Sequence, residues 1–171
     1  MMLAHGKKQI DPNLKPEELA RQAYAKAIRL LGAREHASAE LSSKLQKNGF
    51  DDAVIASTLQ QLQDSGYQSD ERFANLYAEQ LLRKYQGPLV IRAKLAARGI
   101  DSSLSRDAID NLDVCWANVA ADALHSRFSM NELTDSDQNA KGKVARFLTR
   151  RGFSPTDAIK ATRLVVETVP D

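Results

Sequence analysis

Basic side chains are the groups whose clustering in this sequence most clearly indicates chemistry with a partner. They form two blocks, within residues 83–98 and 141–151, and neither block contains an acid. The first block contains Arg83, Lys84, Arg92, Lys94 and Arg98, and the second contains Lys141, Lys143, Arg146, Arg150 and Arg151. Charge of one sign concentrated in this way favours a surface that binds an acidic protein or a polyanion.

The alternative is that the blocks are ordinary solvated faces of helices. Arg92, Lys94 and Arg98 are spaced i, i+2 and i+6, which distributes them around a helix instead of along one side. Only part of each block can therefore face a single partner. The residues alone leave both interpretations open.

Other reactive residue types do not form a recognisable catalytic or metal site. The histidines are His5, His36 and His125. None of them has a second ligand at helical spacing, and glycine-rich phosphate loops are absent. Cys115, beside Trp116 in an apolar segment, is expected to be an inert core or partly buried thiol because no basic residue is near it in the sequence. We therefore expect no enzyme activity, metal ion or cofactor.

The composition is that of a folded protein. The chain has 171 residues, of which 43% are apolar and 27% charged, and its net charge of +2 says little about partners. One cysteine cannot form an internal disulfide. There is no signal-peptide pattern and no apolar run near the roughly 20 residues that cross a bilayer. We expect a cytoplasmic monomer without membrane contact.

The elements that must position the basic blocks repeat along the chain. A glycine followed by an apolar residue recurs at Gly49-Phe50, Gly99-Ile100 and Gly152-Phe153, with a leucine four residues before each glycine. A glycine just past a helix adopts the left-handed conformation that ends it, and the next apolar residue packs back on the last turn. Helix-capping residues follow each glycine, namely Asp51, Asp101 and Ser154. Each copy therefore contains a helix, a glycine stop and a second helix.

A longer amphipathic segment precedes each pair, for example at Pro16–Leu31 and Asp70–Tyr85. The sequence thus predicts an all-α fold of three tandem three-helix repeats that form an elongated, curved body. The first helix of the third repeat is predicted at about Asp113–Phe128, followed by the longest loop, Ser129–Asn139. The predicted divisions are a mobile tail at 1–14 and repeats at 15–66, 67–112 and 113–171.

Short motifs in each repeat resemble those of the RecX family. Gly66–Ala74 is similar to the family's Gly-Tyr-x-x-Asp-x-Arg-Phe-Ala segment. The first repeat also resembles the family in Arg34–Leu41 with Lys44-Leu45, and the second in Gly87-Pro88 with Ile91, Leu95 and Arg98–Ile100. The third does so in Phe147-Leu148 with Arg151–Phe153. The sequence departs from the family's pattern at Val90, where a basic residue is common.

The resemblance implies a cytoplasmic helical-repeat protein that binds filaments of the RecA recombinase on single-stranded DNA. Such a protein would limit filament growth and stability, and with them ATP hydrolysis, strand exchange and RecA-dependent repressor cleavage. Both basic blocks, together with Arg72, are then the candidate contacts to RecA or to DNA phosphates. Direct DNA binding by helix-turn-helix-like units is the alternative.

Overall fold

The fold is described from a computed structural model over residues 15–135 and 137–167, and the predicted tail at 1–14 lies outside the described residues. These residues contain helices and no strand, which confirms the all-α prediction. The helices are α1 (Pro16–Leu31), α2 (Ser38–Lys47), α3 (Asp52–Asp64), α4 (Asp70–Leu82), α5 (Pro88–Ala96), α6 (Ser102–Asp110), α7 (Trp116–His125), α8 (Met130–Thr134), α9 (Gln138–Arg151) and α10 (Pro155–Glu167). Within this part of the chain, none is long and apolar enough to cross a membrane.

The helices form two compact units. In the first unit, the described residues up to Ala74 pack together with Arg98–Ile100. The second unit contains 75–97 and the described residues from 101 onward, so α4 runs from one unit into the other. Each unit has a core of its own.

The first unit is held together by small and branched side chains from α1, α2 and α3. Ala23 and Ala27 of α1 are fully buried and allow the other two helices to approach closely. The other buried members of this core are Leu41, Leu45, Phe50, Ile55 and Leu62. Phe50 follows the first predicted glycine stop, so its burial confirms that the residue after the glycine packs inward.

The second unit packs α7, α9 and α10 around a larger core. Its buried members include Leu124, Phe147, Leu148, Phe153 and Val165. The ring of Phe128 meets that of Phe147 edge-on, with centroids 5.3 Å apart. This is the favourable arrangement for two aromatic quadrupoles. Core packing of the apolar stripe in the third predicted repeat is therefore confirmed.

The predicted glycine stops and caps are confirmed. Gly49, Gly99 and Gly152 all have positive φ values, of 94°, 77° and 88°. At the third stop, the amide of Phe153 donates to the Leu148 carbonyl at 3.1 Å, which closes the last turn of α9. The three capping side chains accept backbone amides: Asp51 from Val54, Asp101 from Ser103, and Ser154 from Asp157.

Three local predictions in the third repeat were wrong. The predicted loop Ser129–Asn139 contains α8, which begins with a capping box between Ser129 and Glu132 and buries Leu133. Cys115 is exposed, because α7 starts only after it and the thiol lies outside the core. The helix predicted at about Asp113–Phe128 is shorter, since α7 begins only at Trp116. Asp113 has a positive φ of 46°, so the chain turns there instead of starting the helix.

Candidate partner-binding surface

The two basic blocks meet where the start of α5 contacts the end of α9. The amide of Gly87 donates to the Arg151 carbonyl at 2.7 Å, and the amide of Leu89 donates to the Gly152 carbonyl at 3.1 Å. The first amides of a helix and the last carbonyls of a helix lack partners within their own helices, so each end satisfies the other. We call this contact the α5–α9 junction.

The backbones at the junction approach so closely that both facing residues must be glycine. A Cβ on Gly87 would lie 2.4 Å from the Gly152 carbonyl oxygen. A Cβ on Gly152 would lie 2.5 Å from the Val90 amide nitrogen. Gly152 therefore has two roles, since it ends α9 and also admits the neighbouring backbone.

The side chain of Arg151 also stabilises the junction. Its Nη1 donates to the Lys84 carbonyl at 2.6 Å, and its guanidinium lies 5.2 Å from the centre of the Phe147 ring. The side chain thus spans from the second basic block to the first, and its residue is only partly exposed. Arg151 was predicted as a partner contact, and the structure gives it an intramolecular role as a donor to the Lys84 backbone.

A comparable contact occurs within the first unit. A Cβ on Gly99 would lie 2.5 Å from the Ala39 Cβ, near the start of α2. The preceding Arg98 donates to Glu40 at 3.2 Å. The same kind of contact therefore occurs once in each unit. Arg98-Gly99, just after α5, contacts the start of α2 in the first unit. Arg151-Gly152, at the end of α9, contacts the start of α5 in the second.

The exposed side of α9 carries a row of cations. Lys143, Arg146 and Arg150 are spaced i, i+3 and i+7, which puts them on one side of the helix over about 10 Å. All three are exposed, and α9 contains no acid. Within the described ranges, none of them forms an ion pair. We call these three residues the cationic stripe.

The remaining candidates in the second unit surround the stripe less regularly. Arg92 and Lys94 are exposed on α5, and the part of the chain that the structure describes gives neither an ion pair. Arg83 pairs with Glu79 at 3.1 Å, but 76% of its side chain is exposed, so the pair is weak and easily exchanged. Lys141 lies on another side of α9 and lines a groove.

Arg72 and Arg98 belong to the first unit and are engaged there. Arg72 donates from Nε to Glu35 at 2.5 Å and from Nη2 to the Tyr67 carbonyl at 3.0 Å. Arg98 shares Glu40 with Arg34. The predicted role of both arginines as partner contacts remains a prediction, and their intramolecular bonds make them weaker candidates than the stripe.

Asp70 is an important residue whose main contact the sequence did not indicate. Its carboxylate accepts from the Ser38 amide at 2.7 Å and from the Ser38 hydroxyl at 2.6 Å, so it caps α2 from a distant part of the chain. Gln68, only 2% exposed, donates to the same carboxylate at 2.8 Å and to the His36 carbonyl. The motif Gly66–Ala74 therefore joins α2 to the start of α4.

We expect Asp70→Ala to lower the free energy of unfolding by about 2 kcal/mol, because it removes charge-assisted hydrogen bonds and leaves an uncapped helix. Urea unfolding followed by circular dichroism measures this. The neighbouring Glu71→Ala, which changes an exposed carboxylate in the same turn, is the control and should cost little. Equal effects of the two changes would contradict the capping role.

Glu40 is the centre of a polar cluster beside His36. Burial raises the pKa of Glu40, but hydrogen bonds from Arg34 and the nearby His36 outweigh burial and lower it below the ordinary 4.5. The imidazole Nδ1 of His36 lies 3.2 Å from the carboxylate, and the histidine is 3% exposed. Among the described residues, no group of three metal-ligating side chains is present.

The lowered pKa of Glu40 predicts a loss of stability in acid. Its ionised form is favoured in the folded state, so its contribution is complete above the unfolded value of 4.5 and declines as the pH falls through the folded value. Wild type should be more stable than Glu40→Gln near neutral pH, and the difference should shrink at about pH 3. Urea unfolding at both pH values tests this. A difference that stays constant would show that the charge of Glu40 is not its source.

Comparison with known proteins agrees with this architecture. Two family models match, described as the first and second three-helix domains of RecX, over residues 23–62 and 69–109. The Regulatory protein RecX of Chromohalobacter salexigens is 39% identical over 127 residues, which cover 74% of this chain and 82% of the relative. That of Legionella pneumophila is 35% identical, with 77% and 87% covered.

A solved structure shows the same fold. The crystal structure of RecX from Lactobacillus salivarius superposes with a TM-score of 0.77 at 21% identity, and the match covers 88% of this chain and 99% of that chain. The matched domains and the named relatives show the family, and the solved structure shows that the helical fold is shared. The chain belongs to the RecX family of regulatory proteins.

Proposed function

We propose that this protein regulates the RecA recombinase, mainly as an inhibitor, by binding RecA filaments assembled on single-stranded DNA. Binding would limit filament growth and stability, and thereby ATP hydrolysis, strand exchange and coprotease activity. The protein acts by occupying a surface of the filament and not by catalysis. Its place of action is the cytoplasm, where it works as a monomer.

The observation that carries the proposal is the cationic stripe. Three cations on one side of α9 form no ion pair within the described residues, although Lys143 attracts the Glu132 carboxylate. The attraction of the stripe is therefore largely available to another molecule. Water solvates such charges well, but a row of one sign attracts an acidic surface or a phosphate backbone over about the Debye length. A filament that contains protein and DNA presents both.

The α5–α9 junction supports the stripe by fixing its orientation. Arg150, the last member of the stripe, lies one residue before the junction, where the backbones of α5 and α9 are hydrogen-bonded. A charged side chain on a fixed helix end loses less freedom on binding than one on a loop. Within the second unit, the segment that carries Arg83 and Lys84 is thus joined through the junction to the end of α9 that carries the last member of the stripe.

The test is to add the protein to preformed RecA filaments on single-stranded DNA and follow ATP hydrolysis. We expect hydrolysis to fall as the protein is added, with saturation at a ratio below or near one protein per RecA subunit. Unchanged hydrolysis over a wide excess of the protein would contradict the proposal.

Direct DNA binding is the second candidate, and the same stripe favours it because phosphates would pair with it equally well. Binding through phosphates weakens steeply with salt, and removing three contacts should reduce the slope of log K against log salt by about 2 for single strands. Measuring affinity for bare DNA across salt concentrations separates the two functions. Tight, salt-sensitive binding to bare DNA that RecA does not improve would favour this second candidate.

A further inference from the structure

Two aromatic rings lie at the edge of the cationic stripe in the second unit. Phe147 follows Lys143 by four residues and precedes Arg150 by three, and side chains at these spacings are neighbours on the surface of a helix. Phe147 is only 8% exposed, whereas Phe128, whose ring meets it edge-on, is partly exposed. The stripe therefore passes beside an aromatic ring that solvent reaches.

Each of the two rings has a guanidinium over it. The guanidinium carbon of Arg127 lies 5.4 Å from the centre of the Phe128 ring, and that of Arg151 lies 5.2 Å from the centre of the Phe147 ring. Arg127 is exposed and, within the ranges that the structure describes, forms no ion pair. The attraction between a cation and a ring is weak at an exposed site. The part of the Phe128 ring under Arg127 therefore becomes accessible when that side chain moves.

The charged groups around the rings also include an acid, Glu132. Its carboxylate accepts from the Ser129 amide at 3.0 Å and from the Ser129 hydroxyl at 2.9 Å. These hydrogen bonds lower the pKa of Glu132, and attraction by Arg127 and Lys143 lowers it further. Arg127 and the stripe thus lie within electrostatic range of one carboxylate. A single negative charge against Arg127 and the three cations of the stripe leaves these groups with a net positive charge.

Single-stranded nucleic acid fits a surface that combines cations with an accessible aromatic ring. Each of its bases has a flat face that stacks on a ring, and its phosphates pair with cations that follow the backbone. The bases of a duplex are already stacked on one another, so they have no free face for the ring. An acidic protein surface would pair with the same cations but would gain nothing specific from an aromatic ring between them.

We propose that Phe128 is a stacking site for a base of single-stranded nucleic acid. The base lies on the ring with the Arg127 guanidinium against its other face, and the phosphates of neighbouring nucleotides pair with Lys143 and Arg150. The proposal rests on the proposed function in one respect, since it takes the stripe as the binding surface and names the ligand that this surface contacts.

Two fluorescein-labelled oligonucleotides of about 12 nucleotides are the probes. One consists of deoxythymidine, and every nucleotide of the other is abasic. Both carry the same phosphates, so only the first can stack on a ring. Each is titrated with the full-length protein at low salt, and fluorescence anisotropy reports binding. We expect the thymidine strand to bind at least about fivefold more tightly than the abasic strand.

Phe128→Leu should remove this preference. Leucine keeps an apolar side chain against Phe147 but has no flat ring, so the affinity for the thymidine strand should fall to that for the abasic strand. The affinity for the abasic strand should not change. Phe128→Tyr keeps the ring and should keep the preference, which provides a second variant if leucine lowers stability. Circular dichroism shows whether each variant is folded.

Tyr67→Leu is the matched control, because it removes an aromatic ring from a different place. Tyr67 is 55% exposed and belongs to the first unit, where the neighbouring Arg72 is paired with Glu35. This change should leave the preference for the thymidine strand intact. Lys143→Glu should weaken the binding of both strands by the same factor, because it removes a phosphate contact and no stacking.

Three results would overturn the proposal. The first is equal affinity of the wild-type protein for the two strands, and the second is a preference that Phe128→Leu does not change. The third is no binding of either strand, because the stripe would then serve an acidic protein surface. None of these experiments contains RecA, so their failure would leave the proposed function standing. Unchanged ATP hydrolysis by RecA filaments would likewise leave the stacking site intact.

Discussion

Reversing the charge of the cationic stripe should weaken inhibition of RecA by roughly 100-fold, since three charge-assisted contacts are lost together. The variant combines Lys143→Glu, Arg146→Glu and Arg150→Glu. All three side chains are exposed, so the helical fold should be retained. The measurement is the protein concentration that halves ATP hydrolysis by preformed filaments.

A control of equal charge separates the stripe from net charge. Lys47→Glu, Arg106→Glu and Lys160→Glu together make the same change in net charge at exposed positions outside the stripe. If long-range attraction alone matters, both variants should lose inhibition equally. If the stripe is the contact, only the first should. Equal loss of inhibition in both variants would contradict the role of the stripe as the contact.

The largest effect on stability is expected from Gly152→Ala, at about 2 to 4 kcal/mol. Part of the cost is the positive φ of 88°, which an alanine adopts at a penalty of about 1 kcal/mol. The rest is the overlap of the new Cβ with the backbone of Val90. This overlap is relieved only if α5 moves away from α9, which costs packing energy. Urea unfolding monitored by circular dichroism gives the value.

Gly66→Ala is the appropriate control. Gly66 also has a positive φ, of 72°, but a Cβ there would have no neighbour within 4 Å. Its cost should be only the conformational part, about 1 kcal/mol. The difference between the two variants therefore measures the close approach at the α5–α9 junction. Equal costs would mean that the junction does not constrain the fold.

Local features of the fold were predictable from the sequence because they depend on neighbouring residues. A glycine after a helix, a capping aspartate and an apolar stripe each act over a few positions, and the structure confirms Gly49, Gly99 and Gly152 as helix ends. The helix α8 was also encoded locally, by the spacing of Ser129 and Glu132, but its polar surroundings and five-residue length concealed it.

Long-range contacts were not predictable in this way. Asp70 and Ser38 are separated by 32 positions, and Arg151 and Lys84 by 67, and no periodicity links them. The basic blocks were identified correctly as charged segments, but the sequence could not say that Arg151 would be bonded to the backbone. It also could not place Lys141 in the groove and Lys143 on the stripe, because that depends on how α9 is rotated in its unit.

The most direct measurement is the affinity of the labelled full-length protein for RecA filaments and for bare single-stranded DNA under the same salt conditions. The filaments are held in the active form by a slowly hydrolysed ATP analogue, and anisotropy reports binding. We predict tighter binding to the filament than to the DNA, with the preference lost in the stripe variant. Equal affinity for both, or a preference that survives charge reversal of the stripe, would contradict the claim that this surface recognises the filament.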